Sequence, residues 1–322
     1  MSPMPSDGLR ILITGREGQV GWELTRSMAS LGDVTATSRA ELDLASDASI
    51  RNAVRDVRPN LIVNAAAYTA VDKAESEPEL AQRINADAVE TLAAEAKAVG
   101  AAMIHYSTDY VFDGTKTTPY VEEDRPNPVS VYGRTKLAGE QALASSGIPY
   151  LVLRTSWVYG ARGKNFLRTI LKLAAEKPEL RIVDDQTGSP TWSRDIAEAT
   201  RDIALRWLMG SGAKAQTERS GMYHMTATGD TTWYGFASEA LRIYAQRSTT
   251  PPKSFARLIP IPSTDYPTPA ARPKNSRLDC SKLALSLQCR LHDWKISLAE
   301  VLHEIERGEM ASSEAIRSKV SI

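Results

Sequence analysis

The chain has 322 residues, is 42% hydrophobic and balances 39 Lys+Arg against 39 Asp+Glu. That length suits one large domain or two joined ones, and the charge balance excludes a global field that would draw nucleic acid or an acidic membrane. No apolar run approaches the ~18 residues of a membrane span. Met1 to Gly8 lacks the basic and apolar regions of a signal peptide, so a cytoplasmic location is expected. Cys280 and Cys289 lack Cys-x-x-Cys spacing and read as free thiols.

In chain order, Leu9 to Thr14 is a short Ile/Leu-rich run that fits a buried parallel strand. Gly15, Gly18 and Gly21 follow it directly, and Trp22 to Leu31 has helical periodicity. Strand, glycine turn and helix is the context for a dinucleotide pyrophosphate resting on a helix N-terminus. The next strand, Asp33 to Thr37, ends at Ser38-Arg39. A hydroxyl and a guanidinium there suit a 2′-phosphate, so NADPH is expected over NADH. Asp43-Leu44 is placed to flank the adenine. Leu61 to Ala67 is a strand running into three alanines, small enough to admit ribose and pyrophosphate. Pro78 opens a helix to about Val99, and Ala101 to Ser107 is a fourth strand with Thr108 at its C-terminal end.

A helix entered through Pro128 and Ser130 then carries Tyr132 and Lys136, four residues apart and therefore on one face. A lysine ammonium beside a phenol favours the phenolate. With the Thr108 hydroxyl at the same sheet edge, the three form a proton relay. A fifth strand, Ile148 to Arg154, follows. The texture then changes: a helix ends near Glu176, Asp184 to Trp192 is a polar loop, and Ser193 to Trp207 is helical. A linker spans Gly210 to Gly221. Beyond it come a strand near Met222 to Thr226, a helix from Thr232 to Gln246 and a strand from Leu258 to Ile261. A proline-rich wall, Pro260 to Pro273, precedes a last helix, Leu298 to Glu309, and a polar tail expected to be mobile. The expected architecture is α/β, a Rossmann-type doubly wound parallel sheet (residues 1–155, to which later segments return). A smaller α/β substrate-binding domain (156–308) and the tail (309–322) complete it.

Taken together, Gly15 to Gly21, Asn64 to Glu75, His105 to Gly114, Tyr132 to Glu140, Arg154 to Tyr159, Asp185 to Thr191 and Ala271 to Asp279 resemble the extended short-chain dehydrogenase/reductases. Within them, the chain is most similar to the dTDP-4-dehydrorhamnose reductases. The resemblance implies a catalytic trio of Thr108, Tyr132 and Lys136, with Tyr132 protonating the C4 ketone oxygen of dTDP-4-dehydro-β-L-rhamnose as NADPH delivers hydride. It implies that Lys136 lowers the pKa of Tyr132 and holds the nicotinamide ribose. Gly18, Gln19 and Val20 match the pyrophosphate turn; Asp43, Leu44, Ala66, Ala67, Tyr68 and Tyr106 match the cofactor wall. Asp109, Tyr110 and Trp157 match the sugar side, joined by Asn165 and Gln186, and Arg272 is expected on the diphosphate. Some relatives are metal-bridged dimers through a glutamate where this chain has Arg194; a cation there would repel Mg²⁺. No metal is therefore expected, and a monomer or weak homodimer. Two rival functions remain open at this point: a non-catalytic nucleotide-binding regulatory subunit, and a nucleotide-sugar epimerase; a dehydratase would need a second acid beside Thr108, where Asp109 is followed by Tyr110.

Overall fold

A computed structural model describes residues 8–209, 216–247 and 255–320. The first half alternates strand and helix. In order these are β1 (Leu9–Thr14), α1 (Gln19–Ser27), β2 (Gly32–Thr37), α2 (Asp47–Val57), β3 (Leu61–Asn64), α3 (Val71–Ala74) and α4 (Pro78–Gln82). A π-helical turn, Arg83–Asp87, joins α4 to α5 (Ala88–Val99), followed by β4 (Ala102–Thr108), α6 (Val131–Ala144) and β5 (Tyr150–Thr155).

The second half has β6 (Val158–Tyr159), α7 (Phe166–Glu176), β7 (Glu179–Val183), β8 (Thr187–Gly188), β9 (Thr191–Trp192), α8 (Ser193–Met209) and β10 (Gly221–His224). A short strand at Thr231–Thr232, a helix at Trp233–Arg247, a strand at Arg257–Ile261, a helix at Ser281–Leu287 and a terminal helix at Trp294–Val320 follow.

Six parallel strands form the main sheet in the order β10-β5-β4-β3-β1-β2. The period of two along each strand sends alternate side chains to opposite faces. Ile11, Ile13, Val63 and Ile104 therefore meet Leu24 of α1, Met28 just past its end, and Ile196, Ile203 and Trp207 of α8. Leu12, Ile62, Met103 and Val152 meet Ile50, Val54, Val89, Leu92 and Leu143 on the other face. Helices on both faces define a doubly wound sheet, and its order reverses between β1 and β3, where such sheets open a ligand crevice. The smaller lobe has its own cores, one around Tyr159, Trp192, Phe236 and Leu298 and one around Ile170, Ile182 and Leu241.

Past residue 155 the chain comes back to the main sheet, with α8 packed beside α1 and β10 at the sheet's edge. Two elements differ from the sequence reading. Strand β7, which the sequence reading left unassigned, pairs in parallel with Arg257–Ile261. The terminal helix begins at Trp294 and continues to Val320, through the stretch read as a polar tail. Residues 321–322, and 210–215 of the linker, lie outside the described residues. Among the described residues no helix is long and apolar enough to cross a membrane, and no group of three or more His, Cys, Asp or Glu is placed to hold a metal ion.

Candidate active site

A cleft of about 670 Å³ opens along the C-terminal ends of β1, β3, β4 and β5. Its floor at one end is the β1–α1 turn. Gly15 has φ of +75°, a region that favours glycine, and a Cβ on Gly21 would lie 2.0 Å from the Gly15 carbonyl oxygen. The turn and the start of α1 thus touch only because Gly21 carries no side chain. Gly18 is the N-cap of α1 and has no side chain to cap with, which leaves first-turn N–H groups facing the cleft for an anion. These residues fit a dinucleotide pyrophosphate. Gly15, Gly18, Gln19, Val20, Arg39, Asp43, Leu44, Ala66, Ala67 and Tyr68 all line this space. Gly21 does not; its part is the close packing.

The far end holds Tyr106, Thr108, Asp109, Tyr110, Tyr132, Lys136 and Trp157. Local structure explains how they meet. Ser130 caps α6 by accepting from the Gly133 N–H at 3.1 Å, and the Val131 N–H donates to Glu75 Oε1 at 2.8 Å. A Cβ on Gly133 would sit 2.2 Å from the Tyr110 carbonyl oxygen, so only glycine lets the first turn of α6 press against the end of β4. That contact brings Tyr132 edge-on to Tyr110, ring centroids 5.5 Å apart. The π turn contributes too: Asn85 clamps the Tyr68 backbone, accepting from its N–H at 2.8 Å and donating to its C=O at 3.1 Å.

Electrostatics at this end differ from the sequence expectation. Burial pushes the Tyr132 phenol up to about 12, against a smaller lowering by Thr108. Lys136 does not lower it here. Its Nζ points behind the cleft, donating to the Tyr106 carbonyl at 2.7 Å and standing 3.2 Å from His105 Nε2. Burial brings Lys136 down to about 8. A phenol that stays protonated at neutral pH is the form that donates a proton, so the shift suits reduction of a carbonyl. Burial also raises Asp109 to about 6; its Oδ1 accepts from the Thr108 hydroxyl at 3.1 Å, while Oδ2 is buried without a partner.

Four expected site residues have other work in this structure. Ser38 is buried, and its hydroxyl donates to Glu41 Oε2 at 2.8 Å, which turns it away from any 2′-phosphate. Arg39 alone of that pair faces the cleft, with Asp43 3.7 Å away. Asn165 caps α7 and donates to Gln19 Oε1 at 2.8 Å, tying α7 to the glycine turn. Gln186 Oε1 accepts from the Trp233 indole at 3.2 Å. Arg272 is held by Asp72 at 2.7 Å, bridging the proline-rich wall to α3 beside Tyr110. Thr155, Ser156 and Ser107 also line the cleft and went unnoticed, although each stands at the end of a strand where ligands bind.

A Rossmann-type sheet with a glycine turn at one end of its crevice and Thr, Tyr and Lys at the other defines the class of nicotinamide-dependent short-chain oxidoreductases. Residues 9–307 match the family model described as the RmlD substrate binding domain. The chain is 46% identical over 297 residues to the dTDP-4-dehydrorhamnose reductase of Burkholderia thailandensis, covering 92% of this chain and 99% of that one. It is 45% identical over 301 residues to the enzyme of the same name from Escherichia coli K12, covering 92% and 98%. A crystal structure of a Bacillus anthracis dTDP-4-dehydrorhamnose reductase in complex with NADP superposes with a TM-score of 0.82 at 32% identity, covering 92% of this chain and 99% of that one. The chain belongs to the dTDP-4-dehydrorhamnose reductase family.

Proposed function

We propose that this protein reduces the C4 ketone of dTDP-4-dehydro-β-L-rhamnose to give dTDP-β-L-rhamnose, with NADPH as the reductant. One observation carries the reading: a protonated tyrosine, a threonine hydroxyl and a buried lysine share one cleft with a glycine turn built for a pyrophosphate. NADPH, when bound, supplies the hydride for C4. The β1–α1 turn and the α1 N-terminus hold its pyrophosphate, Asp43 and Leu44 flank its adenine, and Arg39 pairs with a 2′-phosphate. Tyr132 gives its proton to the ketone oxygen as charge develops there. Thr108 donates a hydrogen bond to the same oxygen once it leaves Asp109, and Trp157 offers an aromatic surface to the deoxysugar. Arg272 exchanges Asp72 for the substrate diphosphate, which its fork can grip through two oxygens.

Arg194 lies 3.2 Å from Glu23 and 2.7 Å from Glu304, an internal network linking α1, α8 and the terminal helix. That favours a monomer or weak homodimer over a metal-bridged one. A small nucleotide-sugar substrate and a nicotinamide reductant fit a cytoplasmic location for the proposed work.

The test is loss of reduced-nicotinamide absorbance with purified protein, NADPH and freshly generated dTDP-4-dehydrorhamnose. Oxidation with the rhamnose nucleotide as product supports the reading. Tight NADPH binding without turnover overturns it in favour of a regulatory subunit.

A further inference from the structure

Behind the cleft, a line of buried polar groups runs from β1 to Lys136. The Ala66 N–H donates to Thr14 Oγ1 at 3.1 Å, so the Thr14 hydroxyl spends its own hydrogen on Asn64 Oδ1, 2.6 Å away. That orients the amide. Asn64 Nδ2 faces His105 Nδ1 at 3.0 Å and has only hydrogens to offer. A neutral imidazole accepting at Nδ1 carries its proton on Nε2, and Nε2 is the atom 3.2 Å from Lys136 Nζ. Thr14, Asn64, His105 and Lys136 are 1%, 1%, 1% and 2% exposed, which leaves no bulk water to arbitrate between them.

The consequence is a contact that suits one form of the lysine. An ammonium has only N–H groups; the Tyr106 carbonyl takes one, and an Nε2–H gives it no lone pair. A neutral amine satisfies both neighbours, donating to Tyr106 and accepting from His105. We propose that His105 is a positioning residue for the proton step: locked by Asn64 as the Nε2–H tautomer, it stabilises the amine form of Lys136, so that the ammonium gives up a proton readily once Tyr132 has lost its own. This rests on Tyr132 and Lys136 being the proton groups of the reaction. The balance is simple. The Tyr132 O–H bond breaks as the substrate O–H forms, a Lys136 N–H proton then restores the phenol across the cleft that both residues line, and solvent entering that cleft reprotonates the amine between turnovers.

Other charges around Lys136 do not supply this bias. Glu140, one turn further along α6, is fully buried and paired with Arg154 of β5, with contacts of 2.9 and 2.6 Å, and its charge acts the other way, favouring the ammonium of Lys136. Glu75 is spent on the α6 N-terminus, and Asp109 bears on Tyr132. On β4, His105 is the titratable side chain that meets Nζ. Burial acts in the same direction as this contact, bringing Lys136 down to about 8 and Tyr132 up to about 12.

The test pairs two variants with a measurement on the unaltered protein. His105→Leu removes the Nε2–H; His105→Gln restores an N–H towards Lys136 and a carbonyl towards Asn64. In His105→Leu the alkaline limb of kcat/KM should move up by about one pH unit and kcat at neutral pH fall about tenfold, with KM for NADPH within about twofold. His105→Gln should return both towards wild type. An unmoved alkaline limb in a folded His105→Leu protein overturns the proposal. ¹⁵N NMR of the histidine-labelled wild-type protein, which has 4 histidines, reads the tautomer without any turnover. An unprotonated Nδ1 between about pH 6 and 9 supports it, and an Nδ1–H tautomer or an imidazolium overturns it even if the reductase reading stands.

Discussion

Trp157 and Trp233 stack face to face, their ring centroids 3.6 Å apart and their planes 9° from parallel. The pair links the cleft to the smaller lobe, because Trp233 opens the helix that also carries Phe236 into the lobe's core. Trp157 needs the support. Its φ is +48°, a backbone region costing a non-glycine residue on the order of 1–3 kcal/mol. Gly188 lies beneath it, where a Cβ would come within 2.6 Å of Trp157 Cε2.

Trp233→Ala should therefore act through Trp157. KM for the nucleotide sugar is expected to rise about tenfold while NADPH binding stays within about twofold, since an aromatic pair contributes roughly 0.5–1.5 kcal/mol beyond its burial. Gly188→Ala should push in the same direction by displacing the indole. Steady-state kinetics beside a fluorescence titration with NADPH would separate the two effects. An unchanged sugar KM in both variants would leave Trp157 without a part in substrate binding.

Tyr132→Phe removes the proton donor and leaves the ring against Tyr110. Turnover should drop by about 10² to 10⁴, the usual contribution of a positioned general acid, with little change in cofactor affinity. Near wild-type kcat would falsify the assignment of Tyr132.

Arg39 alone now carries the expected selectivity, since Ser38 is occupied by Glu41. Arg39→Ala should weaken NADPH by about tenfold or more and leave NADH nearly unaffected, as a charge-assisted bond contributes roughly 1.5–3 kcal/mol. The ratio of kcat/KM for the two cofactors is the readout. Equal loss for both would mean that Arg39 does not meet the 2′-phosphate.

Asp109 sets a stability trend with pH. Its folded value of about 6 lies above the ordinary 3.8, so the folded protein binds the extra proton. That contribution is fully present below about pH 4 and is lost as pH rises through about 6. Asp109→Asn should flatten this part of the profile and stabilise the protein at neutral pH, by at most roughly 3 kcal/mol. Because the comparison is a difference between two proteins, the opposing trend from buried His224 cancels. Thermal unfolding of both proteins between about pH 4 and 8 measures it; parallel profiles would contradict the buried, proton-binding carboxyl.

Much of this protein was legible in local pattern. The runs of β1, β3 and β5 are largely buried on both faces, so their sequence is rich in Ile, Leu and Val. The glycine turn and the Tyr132–Lys136 spacing could be read because helix geometry fixes them within a few residues. Strand β7 escaped because Leu180 and Ile182 alternate with exposed Glu179 and Arg181 over only five residues, too short a pattern to separate from loop.

What the chain order alone determined was therefore which residues arrive at the strand ends and which lie on one helical face, since both follow from backbone periods of two and 3.6. The tertiary structure decided which of those side chains were still free on arrival. Ser38, Asn165, Gln186 and Arg272 each met a partner from far along the chain or from the next turn, and a hydrogen bond already made is not visible in residue type. It also decided the protonation of the site. Tyr132 and Lys136 are neighbours in sequence, but burial by the rest of the fold, with Thr108 and Asp109 beside Tyr132, sets the charge that each can carry.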